Sequence, residues 1–573
     1  MAEVSLVIDK QVFKAKKDVL CEYSDYFRAM FSGHYVENEK EEITIDVIDA
    51  ESMKIILQYM NIGLIDLTEY SLSTIGDLII AVNFLQITEL MKQIEYTLDI
   101  QMSPSNCLEI MIIAQNSGFT KLEQIAATCA LLSFKRMKPE YIPNLSKLCW
   151  YLSHPYLDVS SELDVFNFGH EWLLQNETGG DALLIILGCL DVKRLTLTDL
   201  TAINFIMTQY PNSLATKVVD CLHKLATLGF DLSVPTLQLQ ELMLQQTYTE
   251  RVYNEVMSLM KESKCRLLEY TPVVPVWSLT YHSMYTFSEK LGFEHWLNIA
   301  EKNVWGWSNV AWGPTKLVVV AGECSRGTGV FIKDVKVYDT LRKEWTNHGV
   351  ELPARRHAGV AIVEDSLYLI GGLAAFRIIS DSAIVYDLKQ RSYRKIASFP
   401  DAIQSPAVCV HEGSVYAAGH KTIYKYEDLG AKDRWSTVIG TDIRLSFMIS
   451  YKGYIYCTQS FFSHLYRFKP DVDQKLKLIS NFTNPPATVC NLGNRLLFFT
   501  RYVCGQADAL SVEEYIGNTD ENTKETPRTL WNSDSTVNVN DVSGSCALVM
   551  NIAPLSHDVS NYTKKYLKAY EMQ

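Results

Sequence analysis

Leu352–Leu373 reads LPARRHAGVAIVEDSLYLIGGL: a proline, two arginines, strand-forming apolar runs and a closing glycine pair at Gly371-Gly372. Similar apolar runs begin at Leu317 (LVVVAG), Leu367 (LYLIGG), Val415 (VYAAGH), Tyr454 (YIYCTQ), Leu496 (LLFFTR) and Cys546 (CALVM). Their starts are 50, 48, 39, 42 and 50 residues apart. An aromatic and a polar residue follow most of them, at Tyr338-Asp339, Tyr386-Asp387, Tyr426-Glu427 and Tyr466-Arg467. A second aromatic comes seven or nine residues later, at Trp345, Tyr393 and Trp435. A period of this size, made of strands, turns and spaced aromatics, predicts propeller blades, because one small sheet cannot bury both faces alone. The alternative, an all-β sandwich, would make the period accidental.

Six runs predict six blades, the sixth short of an outer strand. Tyr285–Trp296 (YTFSEKLGFEHW) has the aromatics and acid of the second half of a blade with no first half before it. We therefore expect it to close the ring beside residues 545–573, protecting strand edges that would otherwise pair with other chains. Only Gly371-Gly372 keeps the glycine pair. Ala321-Gly322, Ala418-Gly419, Thr458-Gln459 and Thr500-Arg501 replace it elsewhere.

At 573 residues the chain has room for several domains, and 47% apolar with 21% charged residues is an ordinary globular composition. Thirteen scattered cysteines, none in a C-x-x-C pair, suit reduced thiols and a cytoplasmic location. The opening MAEVSLVIDK lacks the pattern of a secretory signal, and the apolar stretch from Ala182 (ALLIILGCL) is too short to span a bilayer. A net charge of −13 argues against a general nucleic-acid binder. Residues 314–400 reverse the sign, with 13 Lys and Arg against 9 Asp and Glu.

Residues 1–100 mix short strands and helices: a hairpin turning at Asp9-Lys10, a strand from Ile43, and helices over Ala50–Tyr59 and Leu78–Leu98. Residues 101–265 read as helical. Ser103-Pro104 has the form of a helix start and Gly118 of its end, and Ser161 with Asp164 has the spacing of a capping box.

The particular residues add a resemblance. EVSLVIDKQVFKAKKDVLCEYSDYFRAMF (residues 3–31) resembles the opening of a BTB/POZ domain, through Val4, Leu6, Ile8, Phe13, Ala15, Val19, Leu20, Ser24, Tyr26, Phe27, Met30 and Phe31. Glu3 stands where that family has Asp and Lys16 where it has His. NCLEIMIIAQ and LSKLCWYLSHPYLDVSSELDVFNFGHEWL resemble the BACK domain, and LPARRHAGVAIVEDSLYLIGGL resembles a Kelch unit. The order is that of BTB-BACK-Kelch proteins. It implies an α/β BTB/POZ domain at 1–100, an all-α BACK-like domain at 101–265 and an all-β Kelch propeller at 278–573.

The resemblance implies a non-catalytic substrate-recognition adaptor of a cullin–RING ubiquitin ligase, with a cullin scaffold at one end and a protein substrate on the propeller rim. Tyr35 and Glu37, in Gly33-His-Tyr-Val-Glu37, fit the apolar residue and glutamate with which such adaptors dock a cullin. Arg326, Arg355, Arg356, Arg377 and Arg444 fall in loops of the kind that hold targets, and arginine's planar fork suits carboxylates and phosphates. The same architecture leaves open an actin-associated scaffold and a viral host-interference protein. The family's exchanged N-terminal segment does not precede the motif, so we expect at most a weak homodimer through the BTB domain. Enzyme motifs are near misses: His170-Glu171 is followed by Leu174 where H-E-x-x-H needs a second histidine, and Gly322–Thr328 lacks the P-loop lysine. No catalytic residue, metal or cofactor is expected.

Overall fold

The computed structural model describes residues 3–32, 41–176, 180–232, 248–277, 282–300, 304–430, 432–504, 507–517, 526–533, 538–539 and 544–571. The chain divides into two units: residues 1–268 together with 552–573, and residues 269–551.

The first unit begins with a hairpin, β1 (Glu3–Ile8) and β2 (Gln11–Lys16), with β3 (Glu42–Thr44) parallel to β1. Asp9 and Lys10 both have positive φ, 49° and 64°, the geometry of a tight two-residue turn that matches strand twist. Alternation along β1 turns Val4, Leu6 and Ile8 inward. Helices α1 (Lys17–Tyr23), α2 (Asp25–Met30), α3 (Ala50–Ile62), α4 (Leu72–Phe84) and α5 (Thr88–Ile100) complete this part. The single helix expected over Leu78–Leu98 is two. Gln86 adopts a left-handed conformation (φ 54°), breaking the helix while Leu85 and Ile87 stay buried.

The helical part comprises α6 (Cys107–Ser117), α7 (Thr120–Leu131), α8 (Leu145–Leu152), α9 (Glu162–Gln175), α10 (Leu183–Leu187), α11 (Leu197–Met207), α12 (Leu214–Thr227) and α13 (Glu250–Glu262). Helix α6 starts later than Ser103-Pro104 suggests. The Asn106 carboxamide accepts from the Ser103 amide, holding Ser103–Asn106 as a turn ahead of the helix. Gly118 ends α6 at φ 75° as expected. Ser161 caps α9 by accepting from Leu163, but the reciprocal capping box lies at Thr196 and Asp199 on α11. After the propeller sequence the chain returns, and α14 (Asn561–Glu571) packs against α8, α10 and α13. The propeller boundary expected at 278–573 is thus corrected: its compact unit is 269–551.

The second unit is a six-bladed β-propeller. Blades 1 to 5 are antiparallel four-stranded sheets, starting at the inner strands Ser308–Trp312, Gly359–Val363, Val408–His411, Leu445–Tyr451 and Pro486–Asn491. Blade 6 joins the two ends of the unit. Thr271–Trp277, His282–Ser288 and Gly292–Ala300 come from its start, and Cys546–Leu548 from its end pairs Cys546 with Val273. The missing first half of this blade is therefore Thr271–Trp277. Closure uses residues 546–548 and not the whole of 545–573. Each inner strand lies against the next, and Cys546–Leu548 lies against both Pro486–Asn491 and Ser308–Trp312, so the ring is closed.

One apolar cluster fills each junction between neighbouring blades. Val318, Val320 and Val335 meet Leu367, Leu369 and Ile384 between blades 1 and 2. Val273, Met284 and Leu548 meet Leu317 and Val319 at the closing junction. The spaced aromatics prove to be cross-strand partners in register: Tyr338 with Trp345, Tyr386 with Tyr393 and Tyr426 with Trp435. The rings of Tyr338 and Trp345 lie 5.2 Å apart and those of Tyr426 and Trp435 5.3 Å apart, separations at which aromatic pairs add to sheet stability.

Candidate functional site

Antiparallel pairing decides which loops share an end of the propeller. The loop joining the second and third strands of a blade and the link from its outer strand to the next inner strand emerge on the same side. Arg326 and Arg377 lie in the former loops of blades 1 and 2. Arg355 and Arg356 lie in the link from blade 1 to blade 2, and Arg444 in that from blade 3 to blade 4. All five candidate arginines therefore belong to one rim.

The rim uses them differently. Arg355 is 3% exposed. It donates through Nη1 to the carbonyls of Ser382 (3.1 Å) and Gly371 (3.3 Å), and through Nη2 to Ser382 Oγ (3.2 Å). Burial pushes its guanidinium down to about 10. Arg356 is also buried, ion-paired with Glu323, whose other carboxylate oxygen accepts from the Gly329 amide at 2.7 Å. Both side chains, assigned to target binding from the sequence, instead fasten loops from within. Arg326, Arg377 and Arg444 are exposed.

Around Arg356 the structure brings together groups that are distant in sequence. The Arg326 guanidinium sits 5.1 Å over the Trp305 ring, a cation–π distance, and Trp305 meets His357 edge-on at 5.7 Å. Burial, then the charges of Arg356 and Arg326, pushes His357 down to about 4. Burial and the charge of Arg377 lower the Arg356 guanidinium. Three arginines thus share this corner, with Glu323 paired to one of them. Gly306 permits the packing: a Cβ there would lie 2.9 Å from Arg356 Cβ and 3.0 Å from the His357 ring.

Sequence reasoning missed the apolar members of the same rim. Phe376 is 95% exposed and Phe461 90%, with Ile378, Ile379, Phe462 and Val330 also open to solvent. Phe376 and Phe461 have φ of 59° and 65°, a conformation that bulky residues adopt at a cost of about 1–3 kcal/mol and that gathers at binding sites. The signal was present, since Ala374-Ala-Phe-Arg-Ile-Ile379 and Phe461-Phe462 are apolar stretches in what the blade pattern makes loops.

In the first unit, Val47 with α4, α5 and α6 encloses a cleft of about 570 Å3, lined by Ile79, Ile80, Phe84, Met91 and Ile113 among others. Val47 and Ile80 are more than half exposed at its mouth. Tyr35 and Glu37 lie outside the described residues.

Comparisons with known proteins agree with this architecture. A family model for the BTB/POZ domain matches residues 1–101, and one for the Kelch motif matches residues 354–400. Human Kelch-like protein 15 is 28% identical over 179 residues, covering 30% of this chain and 29% of that protein. Kelch-like protein 26 of Danio rerio is 30% identical over 177 residues, covering 30% and 29%. Human Kelch-like protein 4 is 28% identical over 194 residues, covering 32% and 26%. Each alignment thus spans under a third of the relative. The domain content and fold define a BTB–Kelch protein, a chain of protein-interaction modules. No helix among the described residues is long and apolar enough to cross a membrane.

Proposed function

We propose that this chain is a substrate-recognition adaptor of a cullin–RING ubiquitin ligase. The BTB-containing unit binds the cullin and the propeller rim binds the target, raising the effective concentration of target lysines near a ubiquitin-charged enzyme. The observation that carries the target half is the rim itself, where exposed Arg326, Arg377 and Arg444 share one end of the ring with the strained, exposed Phe376 and Phe461. Aromatic and arginine side chains are the commonest interface anchors, and a solvent-exposed Phe held at positive φ gives nothing to the fold. The cullin half is supported by the BTB/POZ match over residues 1–101 and by the apolar cleft beside α4 and α6.

Affinity purification from cells tests the division of labour. The wild-type chain is expected to retain a cullin and a target. Arg326→Glu with Arg377→Glu and Phe376→Ala should retain the cullin and lose the target. Equal target recovery from both chains would reject the rim as the recognition surface. Co-sedimentation with actin filaments in place of cullin recovery would favour the scaffold reading.

A further inference from the structure

The return of the chain to the helical part places two histidines together. On α14, Tyr562 and Thr563 are buried, and Tyr566 and Leu567, with Ile552, Leu555 and Val559 from the segment ahead of the helix, pack against the core of the first unit. Gly188 at the end of α10 makes room, since a Cβ there would lie 2.7 Å from the Tyr562 ring. The Tyr562 amide donates to Glu262 (2.8 Å), Lys565 Nζ to Glu255 (2.7 Å), and Lys264 Nζ to the Asp558 carbonyl.

Ahead of α14 the segment passes over His154, which is shut off from water. His154 Nε2 lies 2.9 Å from the Pro554 carbonyl, and its Nδ1 lies 3.2 Å from the Tyr156 amide. A carbonyl only accepts and an amide N–H only donates, so Nε2 carries the proton and Nδ1 offers a lone pair. His557 stands against it, ring centroids 4.7 Å apart, with Nε2 2.8 Å from Ser153 Oγ. The Ser153 hydroxyl already donates to the Cys149 carbonyl (2.6 Å), so its oxygen accepts from His557 Nε2–H. A proton added at His154 Nδ1 would confront the Tyr156 N–H, and a charge on either ring would be repelled by Lys264 and Arg266.

We propose that residues 552–571 are an acid-releasable latch, an intramolecular ligand of the groove between α8, α10 and α13 whose grip requires His154 and His557 both to be neutral. The charged groups acting on the pair are Lys264 and Arg266, which follow α13, and Asp558 beside His557. Arg266 is committed to Glu162 on α9, and Asp558 is exposed and paired with Lys564. Burial first, then these cations, hold His154 down to about 4; burial first, then His154 and the cations, hold His557 down to about 3. Both lie below the ordinary histidine value. The latch is therefore at full strength above about pH 6.5 and weakens as pH falls toward 4.

Hydrogen–deuterium exchange of the full chain, corrected for intrinsic rates, tests this. Between pH 7.5 and 5.0 the opening of α14 should rise at least about thirtyfold: about thirtyfold from His557, which leaves with the segment, and a smaller further factor from His154, which keeps Lys264 and Arg266 beside it. The amides of α3 serve as an internal reference that should stay protected. His154→Gln with His557→Gln should cut the rise to a few-fold. If that variant does not fold at pH 7.5, His557→Gln alone should cut the wild-type rise by about thirtyfold. A wild-type rise below about tenfold, an equal rise at α3, or an undiminished rise in whichever variant folds would overturn the proposal.

Discussion

The Arg266 guanidinium lies fork to fork on the Glu162 carboxylate, Nε to Oε1 at 2.9 Å and Nη2 to Oε2 at 2.8 Å, with both side chains shut off from water. Its remaining Nη1 donates to the carbonyls of Leu152 (2.8 Å) and His154 (2.9 Å). One side chain thus ties the end of α8 and the start of α9 to the segment after α13.

Removing the carboxylate would leave a buried cation without its partner. Glu162→Ala should destabilise the first unit by about 3–5 kcal/mol, measured by urea unfolding. Glu162→Met with Arg266→Leu should recover much of that loss, because it removes both desolvated charges together.

On the propeller, two arginines that look alike in sequence should behave oppositely. Arg355→Ala strips donors from the Gly371 and Ser382 carbonyls inside the loop and should cost about 2–3 kcal/mol. Arg326→Ala, at the surface, loses only its contact with the Trp305 ring and should cost no more than about 1 kcal/mol. Chemical denaturation of the two variants side by side distinguishes a fastening residue from a binding one.

Phe376 should show a trade of stability against binding. Phe376→Gly relieves a left-handed backbone at an exposed position and should stabilise the propeller by about 1 kcal/mol while weakening target capture. The melting temperature and the target recovered in affinity purification should move in opposite directions.

The blade period was legible because sheets constrain sequence locally. Tyr338 and Trp345 are seven residues apart since a short hairpin sets them opposite each other, and Tyr386 with Tyr393 repeats the arrangement. The inward turn of Arg355 and Arg356 was not legible, because it depends on where Gly306, Glu323 and Ser382 arrive from other loops. Nor was the cleft, whose walls come from Val47, α4, α5 and α6. The final helix was readable in principle: Tyr562, Tyr566 and Leu567 in NYTKKYLKAYE fall on one helical face. It was lost to the expectation that the last blade runs to the end of the chain. The histidine pair it completes joins positions 154 and 557, a contact no local pattern reveals.

In the proposed function one chain holds a cullin at its N-terminal unit and a target at its propeller rim. Titration calorimetry of the purified full chain with a cullin N-terminal domain measures the first of these contacts. The expected Kd is about 1 µM or tighter, weakened at least about tenfold by Tyr35→Ala with Glu37→Ala and unchanged by Arg326→Glu with Arg377→Glu. No binding by the folded wild-type chain at about 50 µM would contradict it.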